Sequence, residues 1–195
     1  MRRKPAVILD RDGVINYDSL EHYIIDFERD VEFIPGSLDA MRKLREAGRE
    51  VYLATNQAWV SKGLRNNAPA VVRDTLTRLR LRVQEEGGLL HGVGFCPHQD
   101  DDCCACRKPQ PGILLKLELK YGLDLSRSVM VGDSWRDVEA ASAAGVGSFV
   151  FVRTRPTQQQ VEAELQRCRP PAYQAANLAA AVEIILREGL GSEGG

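Results

Sequence analysis

Short apolar runs alternate along the chain with segments whose apolar positions recur three or four residues apart. The short runs are Ala6–Leu9, Val51–Ala54, Val93–Phe95, Val129–Val131 and Phe149–Val152. Each is apolar at successive positions, the pattern of a strand covered on both faces in a parallel sheet. Between them, Leu38, Met41, Leu44 and Ala47 share one helical face, entered through Pro35-Gly36-Ser37 and closed by Gly48. Val72, Leu76, Leu79 and Val83 form a second face after Pro69. Leu114, Leu115, Leu117 and Leu119 mark a third segment, opened by Pro111-Gly112 and ended near Gly122. Val138, Ala141 and Ala144 mark a fourth, closed by Gly145.

The order β-α-β-α-β-loop-α-β-α-β predicts an α/β fold: a doubly wound, Rossmann-like, mostly parallel sheet with helices on both faces. Thr157–Arg167 and Ala179–Arg187 predict peripheral helices, and the Gly-rich stretch 189–195 a frayed tail. Residues 1–188 are thus expected to form a single domain with no large cap. Asn16–Phe33 and Cys96–Pro111 interrupt the alternation. Both leave strand ends, so both should border the crevice where open parallel sheets bind ligands.

The length, 195 residues, suits one domain. Lys and Arg number 26 against 27 Asp and Glu, so no basic field points to nucleic acid. Arg42, Lys43 and Arg45, and Arg73, Arg78, Arg80 and Arg82, could make basic faces, but Asp74, Glu85 and Glu86 interrupt them; they read as solvated helix surfaces. No apolar run approaches a membrane span. The run after the basic start is too short for a signal-peptide core, so a cytoplasmic protein is expected.

Candidate chemistry gathers at the predicted strand ends. The first strand runs into Asp10-Arg11-Asp12-Gly13, and the fourth into Gly132-Asp133, with Asp137 one turn further on. Buried carboxylates need a cation or a reactive role. If the two strands are neighbours, Asp10, Asp12 and Asp133 converge, and hard oxygen ligands with open positions suit Mg²⁺. The second strand ends in Thr55-Asn56, and Lys108 follows the second irregular loop. Together these make a site for a phosphoryl group. Asp10 would attack phosphorus and form an aspartyl-phosphate. Asp12 would protonate the leaving oxygen and then deprotonate water. Thr55 and Lys108 would hold phosphoryl oxygens, with Asn56 beside them. D-x-D-G is also a common turn sequence; the weight rests on the four elements occurring together and in order.

Four of the five cysteines lie between 96 and 106. Cys96-x-His98 and Cys104-x-Cys106 face each other across five residues, and three thiolates with one imidazole match a closed, structural Zn²⁺ site. Cys103 is the spare, and Cys168 reads as a partly buried free thiol. Arg107 and Lys108 follow the last ligand directly, so a metal-clamped loop, residues 96–108, would fix both cations at the crevice.

The four elements from Asp10 to Asp137 resemble the haloacid dehalogenase-like (HAD) superfamily. That resemblance implies Asp10 as nucleophile, Asp12 as acid/base, Thr55 and Lys108 as phosphoryl ligands, and Asp133 completing the Mg²⁺ site. It also implies that the main-chain carbonyl of Asp12 binds the metal. The run C-P-H…C-x-C-R-K-P-x-P-G resembles the branch that contains the D,D-heptose 1,7-bisphosphate phosphatases and the zinc-type histidinol-phosphate phosphatases. The implied substrate is a small sugar phosphate, first of all D-glycero-D-manno-heptose 1,7-bisphosphate losing its 7-phosphate, with histidinol phosphate as the alternative. Such an enzyme would be monomeric and would feed lipopolysaccharide or another heptose glycan. Arg107 and Lys62 are then the candidates for holding the phosphate that stays behind. The sequence departs from the heptose enzymes at Ala58-Trp59-Val60-Ser61-Lys62-Gly63, where Ser-Gly-Ile-Ala-Arg-Gly is usual, and in a longer stretch from Asp18 to Tyr23.

Overall fold

A computed structural model describes residues 3–18, 27–57, 68–155, 157–168 and 170–192. Its sheet has six strands, all parallel: β1 Val7–Leu9, β2 Val51–Asn56, β3 Gly92–Cys96, β4 Val129–Gly132, β5 Ser148–Val152 and β6 Tyr173–Ala175. Their spatial order is β3-β2-β1-β4-β5-β6. The chain winds outward from β1 to β3, then crosses back to β4 and winds the other way. β1 and β4 are therefore the neighbours at which the winding reverses, the place where such sheets open a crevice.

Among the described residues seven helices accompany the strands: α1 Phe27–Asp30, α2 Ser37–Glu46, α3 Ala68–Glu85, α4 Gly112–Tyr121, α5 Trp135–Ala143, α6 Gln158–Leu165 and, after β6, α7 Leu178–Arg187. α2, α3 and α7 cover one face of the sheet, with Met41, Leu44, Leu79 and Val182 packed on Val7, Leu53 and Val131. α4, α5 and α6 cover the other, with Leu114, Leu117, Val138 and Val161 packed around Ile8, Met130 and Phe151. The two-sided cover is why β1, β2, β4 and β5 read as unbroken apolar runs. Among the described residues no segment forms a cap domain over the strand ends, and no helix is long and apolar enough to cross a membrane.

Four features differ from the sequence reading. β6 is a three-residue edge strand after Pro170-Pro171, too short to show a period of its own. α7 is not peripheral: Leu178, Ala181, Val182 and Ile185 are fully buried. On α4 the buried positions are Ile113, Leu114 and Leu117, whereas Leu115 and Leu119 are exposed. Gly189 and Leu190 continue from α7, and Leu190 packs against the same core.

Candidate active site

Register brings the acidic residues together. Leu9 pairs with Val131 across β1 and β4, and the Asp10 N–H donates to the Val131 carbonyl at 3.0 Å. Asp10 and Asp133 thus emerge side by side from adjacent strands. Gly13, at φ +75°, lies over Asp133, and a Cβ there would stand 2.2 Å from Asp133 Oδ2. Glycine at this turn is required twice over, by the backbone angle and by the close approach.

Lys108 is inserted between two of the acids. Its Nζ lies 2.9 Å from Asp10 Oδ1 and donates to Asp137 Oδ1 at 2.6 Å and to the Ala54 carbonyl at 2.9 Å. The residue is only 2% exposed, so an unpaired ammonium here would be strongly unfavourable. Burial works against its charge, but Asp10 and Asp137 outweigh burial and hold it above the ordinary lysine range. Asn56 supports the same residue from its main chain. Its Nδ2 donates to the Lys108 carbonyl and its Oδ1 accepts from the Lys108 N–H, both at 3.1 Å. The Asn56 amide, expected to meet substrate, is thus engaged with the backbone of Lys108.

Asp12 points elsewhere. Oδ1 accepts from Arg11 Nε and Asn16 Nδ2, both at 2.9 Å. Oδ2 accepts from an Arg11 guanidinium nitrogen at 2.6 Å and from Gln57 Nε2 at 3.3 Å. Gln57 Nε2 also donates to Thr55 Oγ1 at 2.9 Å, tying Asp12 to the residue expected to hold phosphate. The Asp12 carboxylate therefore stands apart from the acidic cluster, in which Asp10, Asp133 and Asp137 can offer ligand atoms all within 4.8 Å of one another. Within that cluster both oxygens of Asp137 already have partners, Oδ1 with Lys108 and Oδ2 with the Ser134 hydroxyl at 2.7 Å. That leaves Asp10 and Asp133 as the carboxylates for a cation.

The electrostatics fit a divalent cation. Asp10, Asp12, Asp18 and Asp133 line one cleft with Arg107, Lys108, Arg136 and Arg155, and of these carboxylates Asp10 and Asp133 are buried. Burial pushes Asp10 up to about 7, with Lys108 opposing and Asp137 and Asp12 adding to the rise. Burial raises Asp133 well above the usual carboxylate range, against the pull of Arg155. Asp133 Oδ2 is buried without a hydrogen-bond partner. Acids in this condition are stabilised by a bound cation. The cleft they line holds about 160 Å³ and also presents Thr55, Asn56, Arg107, Ser134 and Arg136.

The cysteine loop forms a second centre. β3 runs in register with β2, Cys96 opposite Asn56, which sets the loop beside Lys108. Among Cys96, Cys104 and Cys106 Sγ and His98 Nδ1 five of the six separations are 3.2–3.6 Å, and all four atoms lie within 4.8 Å of one another. Tetrahedral Zn²⁺ with Zn–S bonds of about 2.3 Å places its ligands roughly 3.5–3.8 Å apart, so the four atoms stand nearly on that tetrahedron. They are too far apart for disulfides, and all five cysteines are free. Backbone N–H groups of Cys106 and Arg107 outweigh burial and lower the Cys104 thiol to about 7, toward the thiolate a metal needs. Cys103 is exposed and outside the four. Gly112, at the start of α4, lets the loop pack: a Cβ there would meet the Ala105 carbonyl at 2.2 Å. Arg107 leaves this loop braced, its Nε 2.5 Å from Asp100 Oδ1 and a terminal nitrogen 3.1 Å from the His98 carbonyl.

The structure thus brings Asp10, Asp12, Thr55, Asn56, Arg107, Lys108 and Asp133 to one cleft; Trp59 and Lys62 lie outside the described residues. Asp137, Gln57, Arg136 and Arg155 had no role in the sequence reading. Asp137 did leave a signal, since Ser134-x-x-Asp137 is a helix capping box. Arg155 left none, because nothing in the sequence places the exit of β5 against Asp133.

A HAD-hydrolase-like family model matches residues 105–181. The D-glycero-beta-D-manno-heptose-1,7-bisphosphate 7-phosphatase of Pseudomonas putida is 43% identical over 157 residues, 80% of this chain and 86% of that protein. Its namesake in Pseudomonas aeruginosa is 45% identical over 140 residues, 72% and 76% of the two chains. Among solved structures, the D,D-heptose 1,7-bisphosphate phosphatase of B. bronchiseptica, complexed with magnesium and phosphate, superposes with a TM-score of 0.82 at 34% identity, covering 96% of this chain and 99% of that one.

Proposed function

The chain belongs to the HAD-like hydrolases, as a phosphatase, and we propose that it removes the 7-phosphate of D-glycero-beta-D-manno-heptose 1,7-bisphosphate in a Mg²⁺-dependent reaction. The observation that carries this reading is the convergence of Asp10, Lys108 and Asp133 at neighbouring strand ends, in a chain 43% identical to an enzyme so named.

Asp10 is the nucleophile. Lys108 and the Arg11 N–H hold its Oδ1, leaving the other oxygen to attack phosphorus. As the new P–O bond forms, the bond to the sugar oxygen breaks and that oxygen takes a proton from Asp12, giving an aspartyl-phosphate. Asp12 then accepts a proton from water as the water attacks phosphorus, which releases phosphate and restores Asp10. Lys108 and the Thr55 hydroxyl bind non-bridging oxygens, where transition-state charge is spread. Asn56 acts through Lys108, whose main chain it holds on both sides.

Asp10, Asp133 and the main-chain carbonyl of Asp12 are the groups proposed to bind Mg²⁺. When bound, the ion would supply two positive charges for the buried carboxylates of Asp10 and Asp133 and for the phosphoryl oxygens. Cys96, His98, Cys104 and Cys106 are proposed to hold a structural Zn²⁺ that keeps Arg107 and Lys108 at the rim. Arg107, with Lys62 beyond the described residues, is assigned to the retained 1-phosphate. The test is phosphate release with Mg²⁺ from the heptose bisphosphate, histidinol phosphate and simple sugar phosphates. A kcat/KM highest for the heptose bisphosphate supports the assignment; preference for another member of the set overturns it.

A further inference from the structure

Arg155 occupies a position that the reaction described above does not use. It leaves the carboxyl end of β5, and its side chain is 18% exposed. Its Nε stands 2.8 Å from Asp133 Oδ2, and a terminal nitrogen 3.4 Å from Asp18 Oδ2. The preceding Thr154 hydroxyl donates to the Gly13 carbonyl, which pins this segment to the turn that leaves β1. The guanidinium is thus held against the carboxylate proposed to bind Mg²⁺.

The contact has a particular character. At 2.8 Å it is close, yet neither Arg155 Nε nor Asp133 Oδ2 has a hydrogen-bond partner of acceptable geometry. What joins them is charge rather than an aligned hydrogen bond. A contact of that kind is readily taken over by a stronger charge at the same oxygen, since no directed bond is broken. Asp18 gives the guanidinium a second carboxylate on the other side. Arg155 can therefore yield Asp133 without being left buried and unpaired.

We propose that Arg155 is an internal counter-cation that competes with Mg²⁺ for Asp133, and so sets the metal affinity of the substrate-free protein. This rests on the metal site proposed above. Arg155 is a positioning residue here: it acts through Asp133 and takes no part in bond making or breaking. Without its charge, Asp133 has no other ion-pair partner among the described residues, and a divalent ion meets one positive charge fewer. Like charges about 6 Å apart, one of them divalent, differ by roughly tenfold in binding even when water screens them fully.

The experiment is isothermal titration calorimetry of MgCl₂ into full-length protein, desalted without chelator so that the zinc loop is kept. Wild type, Arg155→Gln and Arg155→Lys are compared near neutral pH, with circular dichroism to show that each is folded. Arg155→Gln is expected to bind Mg²⁺ about tenfold more tightly, and Arg155→Lys, which keeps the charge, to stay near wild type. An unchanged or weaker affinity in folded Arg155→Gln, with wild type binding normally, overturns the counter-cation role and leaves the metal site standing. If Arg155→Gln does not fold, an Arg155→Lys affinity within about twofold of wild type supports the role, and a several-fold weaker one overturns it. Absence of Mg²⁺ binding in wild type overturns the metal site itself, and this inference with it.

Discussion

Lys108 Nζ lies 2.9 Å from the Asp10 carboxylate, although one residue belongs to the end of β1 and the other to the loop after β3. The pair joins the proposed nucleophile to a cation that follows the cysteine loop directly. Stability, metal binding and catalysis are therefore coupled at this contact.

Lys108→Met should be damaging twice over. It leaves Asp10 and Asp137 buried without their shared cation, which costs about 3–5 kcal/mol when one partner of a buried ion pair is removed. It should also abolish turnover. Urea denaturation and steady-state assays check the two effects, and Asp10→Asn/Lys108→Met should recover part of the stability but none of the activity.

Asp137→Asn tests positioning apart from chemistry. Asp137 anchors Lys108 at 2.6 Å and caps α5 through Ser134, but its oxygens are fully engaged away from the substrate. The variant should keep its fold and lose kcat by about 10²-fold, the scale for a misplaced electrostatic donor, with KM changed little. A variant with wild-type kcat would remove Asp137 from the account.

The metal response should depend on pH. Burial pushes Asp10 up to about 7, above the ordinary carboxylate range near 4, so the metal-free native protein keeps a proton that the unfolded chain has released. The sign follows from linkage: stability of the metal-free protein falls as pH rises from about 4 to about 7. Binding a cation requires that proton to leave. The thermal shift produced by Mg²⁺ should thus grow over the same window and level off above it. Melting curves with and without Mg²⁺ across that range check this, and a shift independent of pH would contradict it.

The cysteine loop should carry one zinc per chain, measurable by elemental analysis. Cys104→Ser should lose the metal and about 3 kcal/mol of stability, which for a domain of this size lowers Tm by roughly 10 °C. Activity should fall as well, because Arg107 and Lys108 follow the last ligand directly. Full activity in a zinc-free variant would separate the two centres.

Much of this arrangement was legible before the fold. The apolar runs located β1 to β5 because a sheet covered on both faces needs no alternation. The D-x-D-G, Thr-Asn and Gly-Asp elements marked strand ends, and Lys108 the crevice loop, in order. The x-spaced Cys and His pairs separated Cys103 from the other three. What stayed hidden depends on geometry across strands. Asp12 and Asp133 look alike in sequence, yet Arg11, Asn16 and Gln57 take up the Asp12 carboxylate while Gly13 and Arg155 frame Asp133. Asn56 looked like a substrate contact because it ends a strand; its register opposite Cys96 turns it to Lys108. β6 is too short to announce itself.

The most direct test of the account is to follow the ³¹P spectrum of D-glycero-beta-D-manno-heptose 1,7-bisphosphate with Mg²⁺, using wild type and Asp10→Asn side by side. Wild type should lose the 7-phosphate signal and keep the 1-phosphate, while folded Asp10→Asn leaves both unchanged. Loss of the 1-phosphate, no turnover by wild type, or turnover by Asp10→Asn would contradict it.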